Sequence, residues 1–256
     1  MNVSCCIWGL PLPEADTVQR LSQMGFDGLD VRPSTLEVGA RRDPTAMPLP
    51  VNCLAASFGL PEEAGLDQQD GLARTGAVAY TVRAIQEAAE LGASAVYLVP
   101  GTDTSAAALR RYAAVLGPLA QRAQDHSMSL SLEHFPGLAL PTVEATRAFV
   151  DEVDHPNLKV LVDIGHAQIE GITPAAAIEI AGDRLGYVHL NDNDGEGDLH
   201  LALLDGVLTQ ERLVDALQAI DRVGYDGPVS LELHPELTDP TVGLEKSLQV
   251  VRAALG

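Results

Sequence analysis

Positive charge is scarce in this chain. Its 256 residues carry 16 Lys and Arg against 36 Asp and Glu, a formal net charge of −20. That deficit argues against a nucleic-acid groove or an anionic membrane surface, because phosphate binding needs clustered Lys and Arg. Cysteine is nearly missing as well. Cys5, Cys6 and Cys53 are odd in number and form no CxxC pattern, which points to a reduced, cytoplasmic setting. No apolar stretch approaches the ~20 residues of a membrane span. The opening segment MNVSCCIWGLPLPEA has no basic start and only a short apolar run, so a signal peptide is not expected.

What is present is ordinary for a globular chain: 46% hydrophobic and 20% charged residues. A chain this long buries roughly three quarters of its unfolded surface and needs no staples. Short β-branched or apolar runs predict strands near 3–8, 27–32, 50–57, 94–99, 128–133, 158–163, 186–191 and 228–233. Ala- and Leu-rich segments between them predict helices near 13–24, 73–91, 104–125, 141–153, 173–182, 209–223 and 241–255. Thr142 and Thr173-Pro174 read as helix starts, and Gly25, Gly92 and Gly224 as helix ends.

Alternating strands and helices imply a mainly parallel sheet covered by helices. Eight strands in about 250 residues match a single-domain (β/α)8 TIM barrel over 1–256. The unit between strands two and three is weak: PSTLEVGARRDPTAMPLP holds four prolines, so its helix is expected to be weak or missing. The loop at 58–72 reads as long and polar. A doubly wound open sheet is the rival architecture, but its Gly-rich phosphate fingerprint is missing after the first strand.

Strand geometry sorts the polar residues, since alternate side chains face opposite sides. In SLSLEH, Leu130 and Leu132 should pack under helices, which turns Glu133 into the barrel. The same parity sends Val160 and Val162 outward and Asp163 inward. It sends Val188 and Leu190 outward, with Tyr187, His189 and Asn191 inward. In VSLELHP, Ser230, Glu232 and His234 face inward. Glu133, Asp163, His189 and Glu232 therefore meet at the C-terminal mouth, where barrel enzymes keep their active sites. Three carboxylates in a small volume require raised pKa values or a cation between them. With one imidazole and no thiolate the set suits one divalent metal ion, Mn²⁺ or Mg²⁺ first, with Co²⁺ and Zn²⁺ as alternatives. Taken singly, each has a plainer reading. Asp163 before Ile164-Gly165 is also a natural helix cap, and a lone strand histidine is more often a satisfied core group than a ligand.

These residues also carry a resemblance. SLEHFPG, VDIGHAQIEG, YVHLNDNDGEGDLH and VSLELHPE, with GFDGLDVRPS and AAELGASAVYLVPG upstream, resemble the sugar phosphate isomerase/epimerase superfamily of xylose isomerase-like TIM barrels. That group includes ketose 3-epimerases, inosose dehydratases, hydroxypyruvate isomerases and class II apurinic endonucleases. The resemblance implies a single-metal site at Glu133, Asp163, His189 and Glu232, the set that parity selects. It implies acid/base roles for Glu133 and Glu232 and a substrate contact for His166. It places Asp198 and His200 in the loop after strand seven, folded back toward the mouth. In the DNA-repair branch the positions of His166, Asp198 and His200 hold a further zinc, so a second cation here stays open; the preferred expectation is that Asp198 and His200 hydrogen-bond each other or order the loop as part of the substrate-binding set, with His200 close to substrate.

Two departures oppose a nuclease: strands three and four end in LAASFG and YLVPG, without the repair branch's histidines, and the charge is −20. An Arg common after the strand-seven histidine of the sugar epimerases is replaced by Gly195 and Glu196. Arg32, at the end of strand two, is the candidate to contact substrate instead, with a rim ion pair as its plainer reading. Trp8 faces inward by parity as a sugar-stacking wall or a packing residue. His134 has the wrong parity for the lumen, His234 is placed to line the pocket, and His126 and His155 read as solvated.

The expectation is a cytoplasmic, divalent-metal-dependent isomerase or epimerase acting on a small sugar, polyol or keto compound through an enediolate. A metal-dependent dehydratase is the near alternative; an apurinic endonuclease-like nuclease and a non-catalytic sugar-binding barrel are the distant ones. No nucleic-acid or membrane partner is expected. Pairing into a homo-oligomer through loops is compatible with the fold class and marked by no sequence feature.

Overall fold

A computed structural model describes residues 1–34, 42–61 and 63–256. Its strands are β1 (Val3–Cys6), β2 (Gly28–Val31), β3 (Val51–Ala55), β4 (Ala95–Leu98), β5 (Ser129–Glu133), β6 (Leu158–Asp163), β7 (Leu185–Leu190) and β8 (Val229–Leu231). They run parallel in chain order and close into a barrel, β8 pairing with β1. The open-sheet alternative is thereby excluded. Between them lie α1 (Glu14–Met24), α2 (Gly71–Glu90), α3 (Ala106–Asp125), α4 (Val143–Val153), α5 (Ile164–Ile169), α6 (Pro174–Ala181), α7 (Gln210–Arg222) and α8 (Pro240–Leu255).

The helices start where side chains can satisfy the first free N–H groups. Thr142 accepts from Ala145 N, Thr173 from Ala176 N with Pro174 following, and Asp70 from Leu72 N and Ala73 N. Between β2 and β3 the described residues contain no α-helix, only a 3₁₀ turn at Pro44–Ala46. Residues 35–41 of that expected weak unit lie outside the described residues. Among the described residues, no helix is long and apolar enough to cross a membrane.

Strand alternation divides the interior into two apolar clusters. Leu130, Leu132, Val160, Val162, Val188, Leu190, Val229 and Leu231 join the layer between strands and helices. Cys53, Ala55, Ala95, Tyr97, Leu161 and Tyr187 fill the lumen. Each fully buried Leu or Val side chain contributes about 1.5–3 kcal/mol relative to exposure. That energy locks the register, because a one-residue slip would exchange the two faces.

Three expectations need correction. The first strand stops at Cys6, and Ile7–Gly9 is a 3₁₀ turn, so Trp8 reaches the mouth on a turn and not on a strand. The last strand stops at Leu231, and Glu232 keeps its inward direction because its N–H still donates to Leu190 O at 3.1 Å. The loop at 58–72 is not simply polar: Leu66 is buried, and Phe58, Leu60 and Ala64 turn inward with it around an apolar cavity.

Candidate active site

The register places the four parity-selected headgroups at one end. Asp163 pairs with His189 across β6 and β7, Glu133 ends β5, and Glu232 follows β8. All four residues are buried. One ligand atom from each lies within 4.8 Å of the others. His189 Nδ1 is 2.7 Å from Glu232 Oε2, 3.8 Å from Glu133 Oε1 and 4.0 Å from Asp163 Oδ2. Despite these contacts Nδ1 makes no hydrogen bond of acceptable geometry. The ring nitrogen thus lies near three carboxylates without an aligned hydrogen bond to any of them. A buried, unpaired nitrogen facing hard oxygen donors fits a divalent cation better than it fits a closed hydrogen-bond network.

Asp163 plays both parts that its position suggests. Its Oδ1 accepts from Gly165 N at 2.7 Å and His166 N at 3.1 Å, capping α5, a short helix that sequence periodicity does not reveal. Its Oδ2 accepts from Asn191 Nδ2 at 2.7 Å and faces the site. Gly165 permits this close packing: a Cβ there would stand 1.8 Å from Asn191 Oδ1. Behind it, His134 Nε2 accepts from Asp163 N at 3.2 Å, and His134 Nδ1 contacts Glu170 Oε1 at 2.5 Å. His134 is outside the lumen, as parity requires.

The loop after β7 folds back on itself through Asn193 and Asp192. Asn193 Oδ1 accepts from Leu199 N and His200 N, and Asp192 accepts from Gly206 N and Leu208 N. This brings Asp198 and His200 beside His166. Asp198 Oδ1 lies 3.0 Å from His200 Nε2 and 3.4 Å from His166 Nε2. His166 Nδ1 donates to His134 O at 2.8 Å and His200 Nδ1 to Glu232 O at 3.1 Å. These three form a second candidate cation group.

The acidic surroundings keep the imidazoles charged. Burial alone would lower His166, but Asp163, Asp198 and Glu133 outweigh it and raise it to about 9. Burial opposes His200 likewise, and Asp198, Glu232 and Asp163 bring it to about 10. His189 is pushed well above the usual range, its desolvation overcome by Glu232, Asp30 and Glu133. Glu232 responds in reverse: burial would raise it, while His189, His200 and the Trp8 indole hold it at about 2.

Trp8 Nε1 donates to Glu232 Oε1 at 2.7 Å. The exposed Arg32 guanidinium lies over the Trp8 ring at 4.8 Å and over Phe58 at 4.4 Å. The rim ion pair considered for Arg32 is not formed among the described residues; the cation stacks on aromatic faces instead. His234 does not line the pocket. It is exposed, and its Nδ1 accepts from Glu236 N at 3.2 Å. A turn begins at His234, whose carbonyl accepts from Leu237 N, so parity fails three residues beyond the strand's end at Leu231.

Sequence reasoning misses Asp30. It is fully buried on β2, accepts from Tyr187 OH at 2.6 Å, and places Oδ2 3.6 Å from His189 Nε2. The signal that could have found it is the shared parity of Gly28, Asp30 and Arg32. At that distance the carboxylate faces the imidazole as an ion pair without a hydrogen bond, and Nε2, like Nδ1, has no hydrogen-bond partner.

A closed barrel with these groups at its C-terminal mouth defines a class of protein. The chain belongs to the xylose isomerase-like TIM barrel family, whose model matches residues 18–254. It is 28% identical over 232 residues to a ketose 3-epimerase of Arthrobacter globiformis, covering 84% of this chain and 76% of that protein. It is 30% identical over 161 residues to an uncharacterized protein of Methanocaldococcus jannaschii, covering 58% of this chain but only 54% of that relative's length. The fold superposes on D-psicose 3-epimerase crystallised in the presence of D-fructose, with a TM-score of 0.80, 18% identity and 100% of both chains covered.

Proposed function

We propose that residues 1–256 form one divalent-metal-dependent isomerase or epimerase domain acting on a small sugar, polyol or related keto compound. The observation that carries this reading is the convergence of Glu133, Asp163, His189 and Glu232, with His189 Nδ1 buried and unpaired among the carboxylates. On this reading the four residues hold the ion, Mn²⁺ or Mg²⁺ by their oxygen-rich donor set. The ion supplies positive charge that polarises a carbonyl.

The proton work belongs to Glu133 and Glu232, whose carboxylates both approach His189 Nδ1, at 3.8 and 2.7 Å. Glu232 is held ionised by His189, His200 and Trp8 against the effect of burial, so it enters as the base. It removes the proton α to the carbonyl, and the C–H electron pair shifts toward the carbonyl oxygen to give an enediolate. Glu133, entering protonated, delivers its proton to the other face, inverting the carbon, or to the adjacent carbon, moving the carbonyl; the proton taken by Glu232 passes to solvent and Glu133 takes one up before the next turnover. His166, kept cationic beside Asp198, has a buried Nε2 with no hydrogen-bond partner and is the one to donate to a substrate oxygen, while His200 uses its two ring nitrogens on Asp198 and Glu232 O and lies beside it. Trp8 and Arg32 form the outer wall on the Glu232 side. The three cysteines are buried free thiols, in keeping with a reducing cytoplasm.

The test is a deuterium-exchange screen of ketoses, inososes and short keto acids with metal-loaded protein. Solvent deuterium entering the product without mass loss supports an isomerase or epimerase; loss of water redirects the assignment to a dehydratase. No exchange with any of these substrates defeats the reading, as does exchange that persists unchanged in Glu232→Gln.

A further inference from the structure

Beside the mouth lies a cavity of about 560 Å³ that the proton chemistry does not use. Its walls include Phe58, Leu60, Leu66, Val99, Phe135 and Leu138. The cavity adjoins the site through two of these rings. Phe135 packs on His166 with ring centroids 4.4 Å apart, and Phe58 packs on Trp8 at 5.4 Å.

The walls are tied in place. Ala139 N donates to Gly101 O at 2.8 Å, Arg111 Nε to Asp67 O at 2.7 Å, and Val99 N to Ser57 Oγ at 2.8 Å. Tyr80 OH donates to Phe58 O at 2.5 Å. These bonds join the loops after β3, β4 and β5 into one preformed hollow.

One polar group in the lining lacks a partner. Tyr112 is 2% exposed, stacks on Phe149, and its hydroxyl makes no hydrogen bond. A buried hydroxyl without a partner is costly, and such groups require an explanation. That hydroxyl is shielded from the hollow, whose other polar side chains are Ser57 and Asp67; a mainly apolar hollow is matched by an apolar group.

We propose that the substrate is a sugar or polyol bearing an apolar appendage, an aryl or branched alkyl aglycone, which occupies this cavity while the sugar oxygens face His166 and the four mouth headgroups. The inference rests on the isomerase/epimerase reading for the placement of the sugar and adds the substrate class. Phe58 and Phe135 flank the passage. Water in the hollow would find few polar partners, so its displacement favours the appendage.

The experiment compares binding of phenyl β-D-glucopyranoside and methyl β-D-glucopyranoside to the metal-loaded protein by calorimetry. Burial of the phenyl ring should tighten binding by roughly tenfold or more. Leu138→Trp and, separately, Ala64→Phe fill the hollow and should remove that preference. Equal affinities for phenyl and methyl glycosides, no binding of either, or a phenyl preference that survives both filling variants would each overturn the proposal. Deuterium exchange on free ketoses separates this outcome from the catalytic reading. If exchange persists without any phenyl preference, only the appendage is wrong; if the preference is found and exchange is absent with every substrate, the catalytic assignment fails.

Discussion

The indole of Trp8 donates a 2.7 Å hydrogen bond to Oε1 of Glu232, linking the turn after the first strand to the residue after the last. This bond helps hold the Glu232 carboxyl at about 2, together with His189 and His200 and against the effect of burial. Trp8→Phe keeps an aromatic wall and removes the donor. The Glu232 pKa should then rise, and the acid limb of the kcat/KM profile should move to higher pH. An unchanged limb in a folded variant would rule out Glu232 as the base that limb reports.

Glu133→Gln and Glu232→Gln preserve size and remove the charge. Each should lower turnover by about 10³–10⁵, combining lost proton transfer with a weakened cation site. Both should keep the circular-dichroism spectrum of the wild type. Variants that bind ligand normally and turn over at the wild-type rate would contradict the assigned roles.

Asp30 stands 3.6 Å behind His189 Nε2 and is itself held by Tyr187 OH at 2.6 Å. Asp30→Asn should weaken Mn²⁺ binding by about 10–100-fold, as for other partners of metal-bound histidines. Tyr187→Phe should act in the same direction and less strongly. Titration with Mn²⁺ followed by electron paramagnetic resonance measures both. Wild-type affinity in Asp30→Asn would show that His189 is oriented without it.

The metal-free protein should lose stability as pH rises. His166 and His200 have folded pKa values raised to about 9 and about 10, above the ~6.5 of an unfolded histidine. Their contribution is complete below about pH 6.5, declines above it, and is gone above about pH 10. Thermal unfolding followed from about pH 6 to about pH 10, the span of that window, should lower Tm more in the wild type than in Asp198→Asn. Parallel curves would argue that Asp198 does not hold the two imidazoles charged.

Gly165→Ala places a methyl group 1.8 Å from Asn191 Oδ1 as that side chain now lies. Asn191 must move, which breaks its bond to Asp163 Oδ2. A loss of about 1–3 kcal/mol of stability, as for other overpacked sites, should accompany weaker Mn²⁺ binding. Denaturant unfolding and metal titration read the two effects separately.

Much of the barrel is readable before folding because a strand's two faces carry different chemistry. Leu130, Val160, Val188 and Val229 go to the helix layer, and Glu133, Asp163 and His189 to the mouth. The same rule applied to β2 would have found Asp30 beside Arg32. The short helix α5 is hidden because six residues hold too little periodicity, and only the Asp163 cap marks its start. His234 is misplaced by parity because alternation ends where the strand ends. The loop after β3 reads as polar because its few apolar residues are scattered in sequence and gather only when folded.

Sequence alone determined which headgroups point inward, since that direction is set by covalent geometry one residue at a time. Tertiary structure decided which of them meet: closure of β8 on β1 carries Trp8 to Glu232, and pairing across the lumen carries Asp30 to His189. It also decided that three loops enclose an apolar hollow next to the site. Those relationships join residues far apart in the chain, so they arise only when packing fixes the whole ring of strands at once.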